Sequence, residues 1–240
     1  MPLFYTNNIT GNTALLEGEE AKHCAQVLRM RVGEELTVVD GQGGYFKGAL
    51  AAIGKRECMV DIRETHLEYG KRPYRVHLAV APTKNMARWE WMLEKATEMG
   101  VDQLTPLITQ RSERIHVRLD RLEKIAISAM KQSEQAYLPL ISGPMDFASL
   151  VARAAYPQRF IPHCLEGVKS HLSQNCEPDK DVLILIGPEG DFTPEEVDQA
   201  LSLGFQPAGL GPTRLRTETA GIVALAAVHF VNSWRSLKGL

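Results

Sequence analysis

The sequence predicts a two-domain α/β protein. A small β-rich domain over residues 1–70 reads as a barrel, and a domain over 73–240 is built on a parallel sheet flanked by helices. Two observations carry this. Short apolar runs broken by turn residues fill the first 70 positions. After the polar breaker Gly70-Lys71-Arg72-Pro73, apolar strand patterns alternate with amphipathic helical patterns, the signature of parallel strands joined by helices.

In the first domain, residues 18–30 place Ala21, Cys24, Ala25 and Leu28 at helical spacing. Leu36-Thr37-Val38-Val39, a turn over Asp40–Gly44, then Tyr45-Phe46-Lys47 reads as strand, glycine-rich turn, strand. Residues 58–62 alternate as a further strand, with Met59 opposite to Val60. In the second domain, Tyr74–Ala81 is a strand with Val76, Leu78 and Val80 on one face. Met86–Met99 is a helix with Trp89, Met92, Leu93 and Ala96 on one side, closed by Gly100. Leu104–Ile108 is a strand. Leu119, Leu122, Ile125, Ala126, Ala129 and Met130 mark a second helix, and residues 160–164 and 182–186 are short buried strands. Thr193-Pro194-Glu195-Glu196 starts another helix with a capping box and proline at its first position, and Gly204 ends it. Residues 220–231, almost wholly apolar, predict a deeply buried helix.

Composition narrows the class. The chain has 240 residues, 44% hydrophobic, with a net charge of -2, ordinary for a soluble globular protein. No leader pattern and no run long enough for a membrane helix is present, so a cytoplasmic protein without membrane attachment is expected. Cys24, Cys58, Cys164 and Cys176 are scattered, and the seven histidines lack ligand spacing. That predicts neither disulfides nor a metal, and His163 beside Cys164 reads as the end of a strand. Near-neutral charge does not by itself mark a nucleic-acid binder. Lys22, Arg29 and Arg31 nevertheless cluster, as do Arg111, Arg114, Arg118 and Arg121, and such patches are either solvated faces or local RNA contacts.

Two loops carry the functional signal. Gly187 to Phe192 follows a fully apolar strand and precedes a helix start, at the carboxyl end of a parallel strand where open α/β sheets bind ligands. It lacks the residue types of a dinucleotide or phosphate loop. Glu189 stands where a phosphate would be repelled, so the loop suits a neutral or cationic ligand gripped by backbone. Gly209-Leu210-Gly211-Pro212-Thr213-Arg214-Leu215-Arg216 is a second loop of this kind, and the two predict one shared pocket.

"LIGPEGDFTPEEV" followed by "LGPTRLRTETAGIVAL" resembles the RsmE family of ribosomal RNA uridine-N3 methyltransferases, of the SPOUT superfamily. "VLRMRVGEELTVVDGQG" resembles its N-terminal PUA-like RNA-binding domain, and "KATEMGVDQLTPLITQRSE" the start of its methyltransferase domain. The resemblance implies S-adenosylmethionine as cofactor, 16S RNA in the small ribosomal subunit as partner, a homodimer, and a deep trefoil knot in the parallel-sheet domain. It implies a cofactor pocket lined by His163, Ile186, Gly187, Pro188, Glu189, Gly190, Leu210, Gly211, Leu215, Thr217, Thr219 and Ala220. RNA contacts fall to Lys22, Arg29, Arg31, Lys84, Arg111, Arg114 and Arg214. Many family members carry a second glycine where this chain has Asp191, and an arginine where it has Thr213.

The chemistry asks for a group that steadies negative charge as uridine N3 loses its proton. Arg216 is the expected cation, and Glu189 and Glu218 are candidate bases unless Glu218 only caps the last helix. A methyltransferase acting on another RNA or on ribose 2′-OH, and a non-catalytic ribosome-assembly factor, are the other readings the sequence allows.

Overall fold

The computed structural model describes residues 1–167 and 169–238, with side chains as far as Ser233. It divides into two units, Met1–Lys71 with Ile127–Leu138, and Arg72–Ala126 with Pro139–Leu240. Residues 127–138, which the sequence pattern assigns to the second domain, therefore cluster with the first.

In the first unit the strands are β1 (Leu3–Tyr5), β2 (Ile9–Thr10), β3 (Thr13–Glu17), β4 (Glu35–Val39), β5 (Tyr45–Ile53) and β6 (Glu57–His66). They form one mixed sheet in the order β1-β4-β5-β6-β3-β2, with β1–β4 parallel and the other pairs antiparallel. The long β5–β6 pair shifts register twice, between Lys47 and Gly48 and between Leu50 and Ala52, and such irregularities bend and twist a ribbon. Ala14, Leu16, Leu36, Val38, Leu50 and Val60 fill one core, while Met59 turns outward at 41% exposure, as its place in the alternation requires. The helix expected over 18–30 is shorter. Helix α1 (Gly18–Lys22) runs into a π-helical turn at His23–Val27. A second, smaller cluster joins Val39 to Met130 and Ala136, and Lys131 pairs with Glu20 at 2.5 Å.

In the second unit, β7 (Val76–Val80), α2 (Met86–Glu98), β8 (Gln103–Ile108) and α3 (Leu119–Gln132, whose end lies in the first unit) come first. Then follow β9 (Leu140–Ile141), β10 (Met145–Asp146), α4 (Phe147–Arg153), β11 (Gln158–Pro162), α5 (Leu172–Asn175), β12 (Val182–Ile186), α6 (Pro194–Ser202), β13 (Gln206–Ala208) and α7 (Thr217–Lys238). All seven strands are parallel, ordered β10-β8-β7-β12-β11-β13, with β9 also on β8. Strand β12 lies inside the sheet, and all five of its residues are buried, which is why it reads apolar without alternation. Ala79, Ile161, Leu183 and Leu185 pack with Phe147 and Leu150 of α4 and Val197 and Ala200 of α6. Helix α7 packs on α2 and on β7 and β12.

Helix α7 begins three residues earlier than the apolar run suggests, because its first turn is polar. It is not deeply buried throughout. Ala224, Leu225 and Val228 are buried, whereas Ile222 and Val223 are half-buried and Ala226 and Phe230 exposed. Apolarity all round this helix thus spans a buried face and, among the described residues, a more exposed one. Among the described residues no helix is long and apolar enough to cross a membrane, and all four cysteines are free.

Candidate cofactor site

Where β12 ends, the chain turns at once. A Cβ on Gly187 would stand 3.2 Å from the ring and the backbone nitrogen of Phe192, so a side chain there would crowd the corner where it folds back on itself. Asp191 donates its backbone N–H to the Pro188 carbonyl at 2.9 Å and itself sits at φ 61°, a left-handed conformation that aspartate tolerates better than most residues. Phe192 is fully buried and anchors the loop in the core. The predicted capping box then forms. The Thr193 hydroxyl accepts from Glu196 N–H at 3.2 Å, and Glu196 Oε2 accepts from Thr193 N–H at 2.9 Å. Glu196 also uses Oε1 to accept from the backbone N–H of Gln110 at 2.8 Å, beyond the end of β8.

The second loop leaves β13 and enters α7. Gly209 donates to Ser170 O and accepts from Leu172 N–H, each at 2.9 Å. Thr217 Oγ1 donates to the carbonyl of Gly187 at 3.1 Å. The two loops are therefore tied together, and with the end of β11 they enclose a cavity of about 580 Å³, within the size range of small-molecule sites.

The cavity wall combines apolar side chains, Ile186, Leu210, Leu215 and Ala220, with a rim of charge from Glu189, Asp191, Lys169, Arg214 and Arg216. His163 lies in the wall with its Nδ1 buried and, among the described residues, without a hydrogen-bond partner. Burial, with help from Lys169, holds its pKa below the ordinary histidine value against the opposing pull of Asp191. Cys164 next to it is pushed up by burial and by Asp191. Among the described residues no group of three or more His, Cys, Asp or Glu side chains could hold a metal.

Comparison with known proteins fits this architecture. A family model described as an RNA methyltransferase domain matches residues 70–229, and one described as an RNA methyltransferase PUA domain matches residues 16–63. Over 224 residues the chain is 31% identical to ribosomal RNA small subunit methyltransferase E of Synechocystis sp., covering 90% of this chain and 73% of that relative. The chain belongs to the ribosomal RNA small subunit methyltransferase E family. Its fold is similar to the crystal structure of a probable rRNA-methyltransferase from Porphyromonas gingivalis, with TM-score 0.91, 39% identity, and coverage of 98% of this chain and 100% of that one. It is similar too to a methyltransferase E from Neisseria gonorrhoeae bound to S-adenosyl methionine, with TM-score 0.86, 28% identity, and coverage of 97% and 98%.

Of the residues named from the methyltransferase E resemblance, His163, Ile186, Gly187, Pro188, Glu189, Leu210, Gly211, Leu215, Arg216, Thr217 and Ala220 line the cavity; Gly190 and Thr219 do not. Gly190 turns away, its carbonyl accepting from Arg111 Nη1 at 2.7 Å. Arg111 reaches the Phe192 carbonyl as well, at 3.3 Å, so this arginine braces the family's first loop. Arg114 donates to the Lys84 carbonyl at 3.2 Å, Lys84 Nζ pairs with Glu113 at 2.7 Å, and Lys84 N–H donates to Glu189 at 3.1 Å. Lys22, Arg29 and Arg31 are exposed in the first unit, and Arg214 is exposed at the cavity. Arg216 is exposed, and no partner of its guanidinium is found among the described residues. Glu218 instead lies 3.9 Å from Arg88 Nε, in the first turn of α7.

Sequence reasoning missed Pro162, Cys164, Lys169 and Asp191 in this wall. Pro162 ends β11, and Cys164 and Lys169 lie in the segment that follows it, which carries no glycine–proline corner like those of the two loops. Asp191 was visible as a departure from the family pattern, and that was its signal.

Proposed function

We propose that this chain transfers a methyl group from S-adenosylmethionine to N3 of a uridine in the 16S RNA of the small ribosomal subunit. The observation that carries the reading is the 580 Å³ cavity closed by two loops that the Thr217–Gly187 hydrogen bond ties together, in a chain of this family. The donor set fits the cofactor. Apolar wall residues suit an adenine, the carboxylates Glu189 and Asp191 suit a cation, and the His163 ring in the wall offers a polar group to the ligand. The cofactor residues are those named from the resemblance, His163, 186–190, Leu210, Gly211, Leu215, Thr217, Thr219 and Ala220. The knotted threading of these segments is part of the same reading.

When bound, S-adenosylmethionine supplies a methyl group on a cationic sulfonium. The chain's own work is to hold the uracil in line with that methyl and to steady the charge that appears as N3 gives up its proton. Arg216 fits the second task. Arg216 is exposed and lines the cavity, and among the described residues its guanidinium is engaged with no carboxylate, so it is available to a uracil oxygen. Lys22, Arg29 and Arg31 in the first unit, and Lys84, Arg111, Arg114 and Arg214 in the second, supply phosphate contacts. The protein acts in the cytoplasm as a homodimer, a state supported by the apolar outward stripe of Ile222, Val223, Ala226 and Phe230 on α7.

The test is mass mapping of small-subunit RNA from a deletion strain with and without this protein, beside calorimetry with S-adenosylmethionine. One uridine should lose its base methyl in the deletion and regain it on complementation. An unchanged methylation pattern overturns the assignment.

A further inference from the structure

His163 follows the last residue of β11 and has one buried nitrogen, Nδ1, with no hydrogen-bond partner among the described residues. A stranded N–H is the more expensive and the rarer orphan in protein interiors. Nδ1 therefore holds its lone pair, and the ring's proton is on Nε2. A charged ring would require a proton on both nitrogens, so the same burial keeps the imidazole neutral. Nε2 is left as the nitrogen a cavity ligand can reach.

The backbone beside this ring is fixed by Asp191. Its Oδ2 accepts from Cys164 N–H at 2.7 Å, and its Oδ1 accepts from its neighbour Phe192 N–H at 2.8 Å. Both carboxylate oxygens are thus committed, one to the end of β11 and one to the loop after β12. The left-handed backbone of Asp191 has a conformational cost for any residue with a side chain, and these two bonds offset it.

We infer that His163 meets the cofactor as a neutral Nε2–H donor and that Asp191 positions it. The inference rests on the methyltransferase reading above. S-adenosylmethionine presents sulfonium and ammonium cations together with ribose and carboxylate oxygens. A neutral N–H donates to one of those oxygens without setting a third positive charge against the ligand, which a lysine, an arginine or a charged imidazole would do.

The experiment is calorimetry with S-adenosylmethionine and melting curves on the free protein, for the wild type, His163→Leu, His163→Gln and Asp191→Gly, with nitrogen-15 NMR of the histidine rings. The wild type should show His163 Nδ1 unprotonated at pH 7. His163→Leu should weaken binding by roughly tenfold, the worth of one hydrogen bond, while the free protein melts no lower than the wild type, because a stranded nitrogen has been removed. His163→Gln should recover most of the affinity through its neutral amide. In Asp191→Gly, where glycine adopts the left-handed backbone freely, affinity should fall several-fold and the His163 signals should become those of mixed tautomers. A His163→Leu variant that binds as tightly as the wild type, or whose affinity and melting point fall together, overturns the proposal, as does a protonated Nδ1. Unchanged affinity and tautomer in Asp191→Gly overturns the role of Asp191. A wild type that does not bind S-adenosylmethionine at all sinks the methyltransferase reading instead.

Discussion

Thr217, at the first position of α7, donates its hydroxyl to the carbonyl of Gly187, the first residue after β12, at 3.1 Å. The two residues stand thirty positions apart, and the bond joins the two loops where both line the cavity. Thr217→Val keeps the shape and removes the donor. It should cost about 1 kcal/mol of stability in a denaturant titration, the net worth of such a bond. S-adenosylmethionine affinity should fall further than that, because the loops must be held before a ligand can use them. Equal affinity would separate the bond from the site.

Arg216→Ala should leave the melting point of the free protein unchanged, since its guanidinium has no partner to lose among the described residues. Single-turnover methylation should slow by about 10²–10³, the usual cost of one preorganised charge-stabilising donor, with cofactor affinity nearly intact. Lysine should rescue only in part, lacking the planar fork. Normal turnover under saturating substrates would end this role.

The glycines of the two loops should respond differently. Gly187→Ala forces a methyl to within 3.2 Å of the Phe192 ring, and overpacking of that kind costs about 1–3 kcal/mol. At Gly211 none of the described residues lies within 4 Å of an added Cβ, but φ is 125°. Substitution of Gly211 strains the backbone rather than crowding it. Gly187→Ala should lower the melting point even without ligand, and Gly211→Ala should act chiefly on the conformation of the second loop, read as a loss of cofactor affinity.

The basic residues divide in the same way. Neutralising Lys22, Arg29 and Arg31 should weaken RNA binding and flatten its salt dependence, by about one unit of slope for each phosphate left without its cation. Cofactor binding should be untouched. Arg111→Ala should weaken both, because its guanidinium also holds the carbonyls of Gly190 and Phe192. Filter binding across a salt series, beside calorimetry, distinguishes the two groups.

Acid should destabilise the fold through His77. This histidine bridges Thr105 Oγ1 at 2.8 Å and the Tyr156 hydroxyl at 3.1 Å, and burial depresses its pKa from 6.5 to about 4. The unfolded chain takes up this proton as pH falls through 6.5, whereas the folded protein resists until about 4. Stability is therefore full above pH 6.5 and declines between those values, by about 3 kcal/mol from this residue. His229, hydrogen-bonded to the Tyr74 hydroxyl at 2.7 Å, is depressed in the same direction by burial and by Arg72. Urea titrations at pH 7 and pH 5 check the sign. A His77→Gln variant should show a shallower pH dependence.

Much of the sheet was legible because its strands are buried on both sides. Residues 182–186 carry nothing but apolar side chains, and the capping box at Thr193 announces the helix that follows. Strands β9, β10 and β13, of two or three residues each, are too short to establish a period. The π-helical turn after Lys22 was not legible, since Cys24 is buried in the core there just as the expected α-helical spacing would bury it. In the site, the glycine–proline corners were visible as sequence. The engagement of Arg111 with backbone carbonyls was not, since an arginine's partner lies in the fold and a cluster of arginines on paper looks the same whether it faces phosphate or its own chain.

The small cluster that joins Val39 to Met130 and Ala136 has a consequence for how the protein is born. A nascent chain emerging from the ribosome at about 5–20 residues per second presents all six strands of the first unit by residue 66, yet its last hydrophobic partners are synthesised some sixty residues later. In the interval the surface around Val39 is uncovered, and a fragment ending near residue 71 would remain in that condition permanently.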